Sequence, residues 1–362
     1  MIQLLLFYML LLGWFLPLFV SGSFALAAPE KPTRFAVIGD MPYSDSEYAL
    51  LEQPDGAIAK AIKALNPPVL IHLGDFKLAR ASCSDELFKD RYRQIAQLNP
   101  HKTVYTPGDN DWTDCDRLSL NFSQRYDELE RLAYLRQIFF QQDELQLSKD
   151  IPGLIRQQDF IENARWKIDQ VLFASLHLPG TNNGRAQIHR SPIKDALDAA
   201  DSRDKFNEEW LQQLFDTAIS QPMIQAVVIA FHADIYENES DNKPVCTAEI
   251  RSDCDGYLAI RALISRRSAE FKKPVLVIHG DSLAYCLHQP YEKIPNLWRL
   301  NAPGDRVYID ANRIVFDSAN KNKPFTAMGL LDNKPAPSSC GLGFLLDDLL
   351  PSLTSTPEKS QP

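Results

Sequence analysis

The sequence predicts a layered α/β fold in which short buried strands alternate with amphipathic helices. Five apolar strings have the length of buried strands and stop at a glycine or a polar residue, namely residues 35–39, 69–74, 104–108, 226–231 and 275–278. Segments with apolar residues at helical spacing lie between them. This alternation indicates a mainly parallel sheet that is covered by helices on its faces.

The helices and the remaining strand follow from spacing and from helix-end signals. Helical patterns cover residues 45–65, 84–98, 118–142, 206–219 and 257–271. A further strand, 171–178, runs into a loop of turn-forming residues at 179–184. Beyond Phe316 the periodicity fades. We therefore expect one domain over 32–319 and a partly ordered tail over 320–362, tied down by Cys340.

Each of the five strings leads into a side chain that can bind a metal ion. These side chains are Asp40, Asp75, Asn110, His232 and His279. Ligands gather beyond the carboxyl ends of parallel strands, so one rim receives a mixed oxygen and nitrogen set, suited to a pair of metals. Such a set fits Mn, Fe or Zn without selecting among them. The simpler alternative is that the aspartates form turns and the histidines are hydrogen-bonded core residues.

The amino terminus resembles a secretory signal peptide. Residues 2–20 are almost wholly apolar, and Ala25-Leu26-Ala27 forms an A-x-A cleavage signal. We expect cleavage after residue 27 and a secreted or periplasmic protein. The alternative is an uncleaved segment that anchors the chain in a membrane, since the apolar run is long enough to span one.

Export makes the six cysteines expected disulfide partners. Six cysteines allow fifteen pairings in principle. We expect Cys83–Cys115, Cys246–Cys254 and Cys286–Cys340. A zinc site is the weaker alternative because the sequence contains no Cys-x-x-Cys pair.

The charge balance limits the class of ligand. The formal net charge of −9 argues against binding long nucleic acids, which requires a basic face. A small phosphorylated substrate remains compatible with an acidic protein when metal ions or local cations neutralise it. The sequence leaves the oligomeric state open.

The order of these motifs resembles that of the calcineurin-like metallophosphoesterase family, which includes the purple acid phosphatases. The family pattern is Asp-x-His, Gly-Asp, Gly-Asn-His-Asp/Glu, a lone His and Gly-His-x-His, on a four-layer α/β/β/α sandwich. Asp40, Asp75 and Asn110 match the first three motifs, His232 the lone His, and His279 the first His of the last motif. The resemblance covers roughly residues 34–285.

Three departures from the family pattern alter the implied site. The first motif lacks its His, because Pro42 stands at that position. The next residue, Tyr43, is either a phenolate ligand or a packing residue. Asp281 replaces the second His of the last motif as an expected ligand. Asp111 replaces the family's catalytic His, so it either assists the leaving group or only holds the loop. Lys77 is the expected cation for the developing charge, and Arg80 and Arg117 are further candidates for phosphate contacts. The alternative for each of the three is a solvated loop charge.

The resemblance implies an exported metallophosphoesterase that binds one or two metal ions. It implies hydrolysis of a phosphate mono- or diester by a hydroxide held by the metals. The alternative is a catalytically silent protein on the same fold that acts as a binding or scaffold protein, because two family histidines and the usual acid are missing.

Overall fold

The computed structural model describes residues 31–120, 125–141, 146–237, 239 and 242–340. The predicted signal peptide, residues 1–27, lies outside the described residues. The strands are β1 (Thr33–Ile38), β2 (Leu70–His72), β3 (Thr103–Tyr105), β4 (Ile155–Arg156), β5 (Ala164–Ile168), β6 (Val171–Ser175), β7 (Ala226–Ala230), β8 (Val275–His279), β9 (Cys286–His288), β10 (Leu297–Asn301), β11 (Asn312–Phe316) and β12 (Phe325–Gly329). The helices are α1 (Asp45–Leu51), α2 (Ala57–Leu65), α3 (Asp85–Leu98), α4 (Glu128–Phe139), α5 (Gly180–Gly184), α6 (Ile193–Ser220) and α7 (Leu258–Phe271), with a 3₁₀ turn at Thr113–Asp116.

The strands form two mixed sheets. Sheet A has the order β12-β11-β1-β2-β3, and sheet B has the order β4-β5-β6-β7-β8-β10-β9. The centre of each sheet is parallel: β1, β2 and β3 in sheet A, and β6, β7, β8 and β10 in sheet B. The other neighbours pair antiparallel, so the expectation of one mainly parallel sheet holds only for the two centres.

The two sheets pack face to face, and helices cover their outer faces. Alternate residues of β1 point to opposite sides, as the two-residue period of a strand requires. Phe35 and Val37 join the core between the sheets, together with Phe173 of β6. Ala36 and Ile38 pack against α1 and α2. With α3 and α4 also over sheet A and α6 and α7 over sheet B, the layers are α/β/β/α, as expected.

Several predicted helix boundaries need correction. The segment 45–65 forms two helices, because Pro54, Asp55 and Gly56 break it. The helix expected over 118–142 is only α4, and α6 begins thirteen residues before the expected start at 206. The prediction over 84–98 is confirmed: Ser84 caps α3 by accepting a hydrogen bond from the Leu87 amide at 3.3 Å.

The domain also continues beyond residue 319. Strand β12 pairs antiparallel with β11, and its Phe325 and Ala327 lie buried in the core between the sheets. The expected boundary was wrong here because a single edge strand that alternates buried and half-buried residues carries a weak signal. The part of the predicted tail over 341–362 lies outside the described residues.

All three expected disulfides are present: Cys83–Cys115, Cys246–Cys254 and Cys286–Cys340. Three structural disulfides are typical of proteins that fold outside the cytosol. Across the described ranges, the helices are all too short or too polar to traverse a lipid bilayer.

Candidate metal centre

Acidic side chains from both sheets meet at the carboxyl ends of the central strands. Asp40, Asp75 and Asp109 follow β1, β2 and β3 of sheet A, whereas His232 and Asp281 follow β7 and β8 of sheet B. We call these five residues the carboxylate cluster. They surround a cavity of about 270 Å³ that the four aspartates line.

The imidazole of His232 lies at the centre of the cluster and is fully buried. Its Nδ1 donates to the Leu73 carbonyl at 2.9 Å, which leaves Nε2 directed at the carboxylates. Nε2 lies 3.2 Å from Asp109 Oδ1, 3.4 Å from Asp75 Oδ1 and 3.6 Å from Asp281 Oδ1. The orientation suits a metal ligand.

Tyr43 and Asn110 hold Asp75 of the cluster in place. The Tyr43 hydroxyl donates to Asp75 Oδ2 at 2.9 Å and accepts from Asn110 Nδ2 at 3.2 Å. The backbone N–H of Asn110 donates to Asp75 Oδ1 at 3.0 Å. Both predicted ligands therefore lie at the cavity, and in this arrangement each contacts Asp75 directly.

The backbone is left-handed at three of the cluster aspartates. Asp40, Asp75 and Asp281 have φ values of 54°, 56° and 60°. Aspartate tolerates this region better than most residues, and strained backbone conformations concentrate at functional sites. The strands thus turn sharply after their last residues, which brings each carboxylate over the end of the sheet.

Glycines allow the backbone to approach the carboxylates closely. A Cβ on Gly108 would lie 2.0 Å from Asp75 Oδ1, and one on Gly280 would lie 2.0 Å from Asp40 Oδ2. A Cβ on Gly180 would lie 2.6 Å from Asp109 Oδ2. Any larger residue at these positions would displace a carboxylate.

The crowded acids shift one another's proton affinities. Burial raises the pKa of Asp281 to about 8, and the charge of Asp109 adds to the rise. Burial also raises the pKa of Asp40 to about 7, against the attraction of His232. Burial alone would lower the pKa of His232, but Asp75 and Asp281 raise it well above its ordinary value. The carboxylates of the cluster therefore stabilise the protonated, positively charged form of His232.

The donor set fits metal ions. Two groups of side chains in the cluster have ligand atoms within 4.8 Å of one another: Asp40, Asp75 and His232, and Asp109, His232 and Asp281. Asp40 Oδ2 is buried and accepts no hydrogen bond from the described residues, while Oδ1 accepts from the Asp281 amide at 3.0 Å. A buried carboxylate oxygen without a partner is costly unless a cation satisfies it.

His279 lies outside the cluster, which corrects its expected role as a ligand. Its Nε2 accepts a hydrogen bond from Arg299 Nε at 2.8 Å, and its Nδ1 donates to the Gly280 carbonyl at 2.8 Å. Asp234 in turn accepts from Arg299 at 2.7 Å. With both ring nitrogens used, His279 supports the end of β8, and Asp109 supplies the carboxylate that sequence reasoning missed.

Asp111 also needs correction as a leaving-group acid. Its carboxylate is fully buried and accepts from the amides of Asp75, Phe76 and Gly108 at 2.8–2.9 Å and from the Tyr105 hydroxyl at 2.8 Å. These contacts agree with the alternative that the residue only holds the loop. Asp111 fixes the backbone of the two segments that carry Asp75 and Asp109.

Of the candidate cations, Arg117 lines the cavity, whereas Lys77 and Arg80 do not. Lys77 is buried, and burial lowers its pKa. Its Nζ donates to the Leu78 carbonyl at 3.4 Å. Arg117 and Arg306 line the cavity instead. Arg117 pairs with Asp114 at 2.5 Å, whereas no carboxylate of the described residues lies within ion-pair distance of Arg306.

Two residues on the loop after β10, Asp305 and Arg306, complete the lining of the cavity. No pattern in the sequence predicted them. Asp305 donates its amide to the Asp40 carbonyl at 3.0 Å, and Arg306 extends over the ring of Tyr43 at 5.9 Å. Neither follows a motif or a predicted strand end. Only the tertiary fold brings this loop to the cluster.

The chain is similar to solved structures but matches no protein family. Neither the models of protein families nor the curated proteins contain a match to the chain. The structure of Haemophilus influenzae NAD nucleotidase (NadN) matches with 12% sequence identity and a TM-score of 0.34. The match covers 91% of this chain and 57% of that one, so the chain spans little more than half the length of the nucleotidase.

Proposed function

We propose that the protein is an exported, metal-dependent phosphoesterase that hydrolyses a phosphate mono- or diester. The observation that carries this proposal is the carboxylate cluster beside two cavity-lining arginines. Carboxylates attract a metal ion, and guanidinium groups suit the oxygens of a phosphoryl group. A cavity with both features suits a metal ion and a phosphate ester bound together.

The cluster residues Asp40, Asp75, Asp109, Asp281 and His232 would hold one or two ions. Carboxylate and imidazole ligands suit Mn, Fe or Zn. When bound, such an ion supplies Lewis-acid stabilisation of phosphoryl oxygens and a lowered pKa for water at neutral pH.

The other residues of the site position these groups. Tyr43 and Asn110 orient Asp75 through hydrogen bonds, and the Thr181 hydroxyl orients Asp109 by donating to its Oδ2 at 2.8 Å. Arg306 is the cation best placed to contact a phosphate oxygen, because Arg117 already pairs with Asp114. Export is consistent with the three disulfides and with the signal-like amino terminus.

The first test compares metal content and hydrolysis in three proteins: wild type, Asp40→Asn and the control Asp45→Asn. Asp45 is an exposed residue of α1, outside the cavity. After loading with Mn, Fe or Zn and dialysis, we expect about one or two ions in wild type and control and fewer in Asp40→Asn. Hydrolysis of p-nitrophenyl phosphate or its bis-ester should follow the metal content.

The rival function, a silent binding or scaffold protein, has a specific observation in its favour. Asp111 and His279 occupy positions that carry catalytic or ligand residues in the family that the sequence resembles, and both are committed to protein contacts. Wild-type protein that retains no metal and hydrolyses neither ester would favour this rival over the phosphoesterase.

A further inference from the structure

A second cavity adjoins the first at Asp281. It has a volume of about 320 Å³, and Asp281 lines both cavities. Thr181 lines the second cavity as well, and its hydroxyl contacts Asp109 of the cluster. A ligand whose phosphate lies in the first cavity would therefore extend past Asp281 into the second.

Two segments that hold each other in place form the wall of this second cavity. One is α5, in which Thr181, Asn182 and Asn183 are left-handed, and the other is the loop closed by the Cys246–Cys254 disulfide. Asn182 Nδ2 donates to the Cys254 carbonyl at 3.0 Å, and its Oδ1 accepts from the Gly256 amide at 2.9 Å. The wall is thus preformed, which reduces the entropic cost of binding a ligand.

The side chain of Tyr257 also holds this wall in place. The Tyr257 hydroxyl donates to the Pro179 carbonyl at 3.0 Å and accepts from the Asn183 amide at 2.8 Å. Since both polar functions of the hydroxyl are used within the wall, Tyr257 offers a ligand chiefly its ring. The groups left for polar contact are at the rim, on Glu237, Lys243 and Ser252.

Asp281 lies 3.6 Å from His232 Nε2, and one other carboxylate at the second cavity has no cationic partner among the described residues. Asp234 pairs with Arg299 at 2.7 Å, and Asp255 pairs with Arg261 at 2.5 Å. Lys243 pairs with Asp253 at 3.4 Å. The carboxylate of Glu237 lines the cavity and has no cation of the described residues within 4.0 Å. A second anionic group on a ligand would meet net negative charge here.

We infer that the second cavity receives the alcohol part of the phosphate ester and selects hydroxyl-bearing alcohols that are uncharged or cationic over anionic ones. This inference rests on the proposed phosphoesterase function. Polar groups at the rim supply hydrogen bonds to hydroxyls, and Glu237 repels a carboxylate or a second phosphate. Glu237 is the residue that determines this selectivity.

The test uses two substrates that differ in one group. Glycerol 3-phosphate carries a hydroxymethyl group where 3-phosphoglycerate carries a carboxylate. For the metal-loaded wild type we expect kcat/KM to be about tenfold or more higher for glycerol 3-phosphate, the size of effect that one close like charge produces. In Glu237→Lys the ratio should fall to about threefold or less. Because each ratio is taken within one protein, a general change in activity cancels.

The control is Glu209→Lys, which makes the same charge change on the exposed side of α6, outside both cavities. It should keep the wild-type ratio. Equal ratios in all three active proteins would overturn the subsite and leave the phosphoesterase function standing. Failure of the loaded wild type to hydrolyse p-nitrophenyl phosphate, its bis-ester and both test substrates would overturn the phosphoesterase function and the subsite together.

Discussion

At the scale of single residues, the cluster combines buried carboxylates with left-handed backbone. Each such conformation costs on the order of 1–3 kcal/mol, and surrounding contacts must hold it. At Asp40 and Asp75 these contacts include amide hydrogen bonds from Asp281 and Asn110. The site therefore owes its geometry to neighbours that are far apart in the sequence.

The two strand-end histidines should respond differently to removal. His232→Ala removes the imidazole ligand at the centre of the cluster, so we expect metal affinity to fall by about tenfold or more. His279→Ala should keep its metal content within about twofold, because His279 contacts Arg299 instead of the cluster. Elemental analysis after dialysis against a series of Mn concentrations measures both. Equal losses in the two variants would contradict this assignment.

Glu128 should make the stability of the fold depend on pH. Burial raises its pKa from 4.5 to about 8, with Asp116 and Asp127 adding to the rise. The folded protein thus holds this proton more tightly than the unfolded chain. The free energy of unfolding should fall as pH rises from about 4.5 to about 8 and then level off.

The variant Glu128→Gln tests this pH dependence because it cannot ionise. Neither carboxylate oxygen of Glu128 has a hydrogen-bond partner among the described residues, so the amide loses no acceptor contact. We expect Tm to match wild type near pH 4.5 and to exceed it by several degrees near pH 8, for at most about 4 kcal/mol. A constant Tm difference across this range would refute the assignment.

The sequence predicted the cluster in part, for a physical reason that differs between residues. Asp40, Asp75 and His232 directly follow buried strands, so strand ends alone place them together. Asp109 was missed as a ligand although it lies in the third motif, because Asp109 and Asn110 are neighbours in a loop after β3 and both reach the cavity. Arg306 depends on a loop that no periodic pattern marks.

At the scale of elements, α5 and the loop closed by Cys246–Cys254 form one unit. The double variant Cys246→Ser/Cys254→Ser should loosen both, since the Cys254 carbonyl and the Gly256 amide hold Asn182. We expect faster hydrogen exchange at 180–184 and 246–257 and a loss of about 2–3 kcal/mol at most. Hydrogen-exchange mass spectrometry measures the exchange rates of both segments in one experiment.

A single substitution separates the disulfide from the contacts that it supports. Asn182→Ala removes the hydrogen bonds to Cys254 and Gly256 while the disulfide remains. It should raise exchange at 180–184 about as much as the double variant does. Unchanged exchange at 180–184 in both variants would show that α5 holds its conformation without this loop.

Element boundaries were predictable where local chemistry sets them. Ser84 caps α3, as its sequence predicted, whereas β6 ends at Ser175, before the turn residues after Leu178 that were expected to end it. The early start of α6 and the short α4 follow from packing against the sheets and against neighbouring helices, which a window of sequence does not contain.

At the scale of the whole molecule, β12 secures the edge of sheet A. Phe325→Ala should lower the free energy of unfolding by about 3–5 kcal/mol, because the side chain is fully buried against Phe316 with ring centroids 5.3 Å apart. The control Leu331→Ala, at a position 45% exposed, should stay within about 0.5 kcal/mol. Urea denaturation curves distinguish the two.

The family resemblance predicted the four layers, and so two sheets, but the assignment of each strand to a sheet lay beyond the sequence. Buried parallel strands have similar apolar sequences in either sheet. The alternation of strands and helices therefore indicates an α/β fold but does not show which strand joins which sheet. The antiparallel partners β11 and β12 return to β1 from the far end of the chain, a pairing that depends on long-range contacts.

The cluster draws its side chains from both sheets, with Asp40, Asp75 and Asp109 on one side and His232 and Asp281 on the other. An ion bound there would act as a cross-link across the seam of the sandwich. Removing it with a chelator should then lower Tm, with a free-energy loss of about 2.7 kcal/mol when free metal had stood at a hundred times Kd. Scanning calorimetry with and without chelator would measure this coupling between the supply of the ion and the stability of the folded protein.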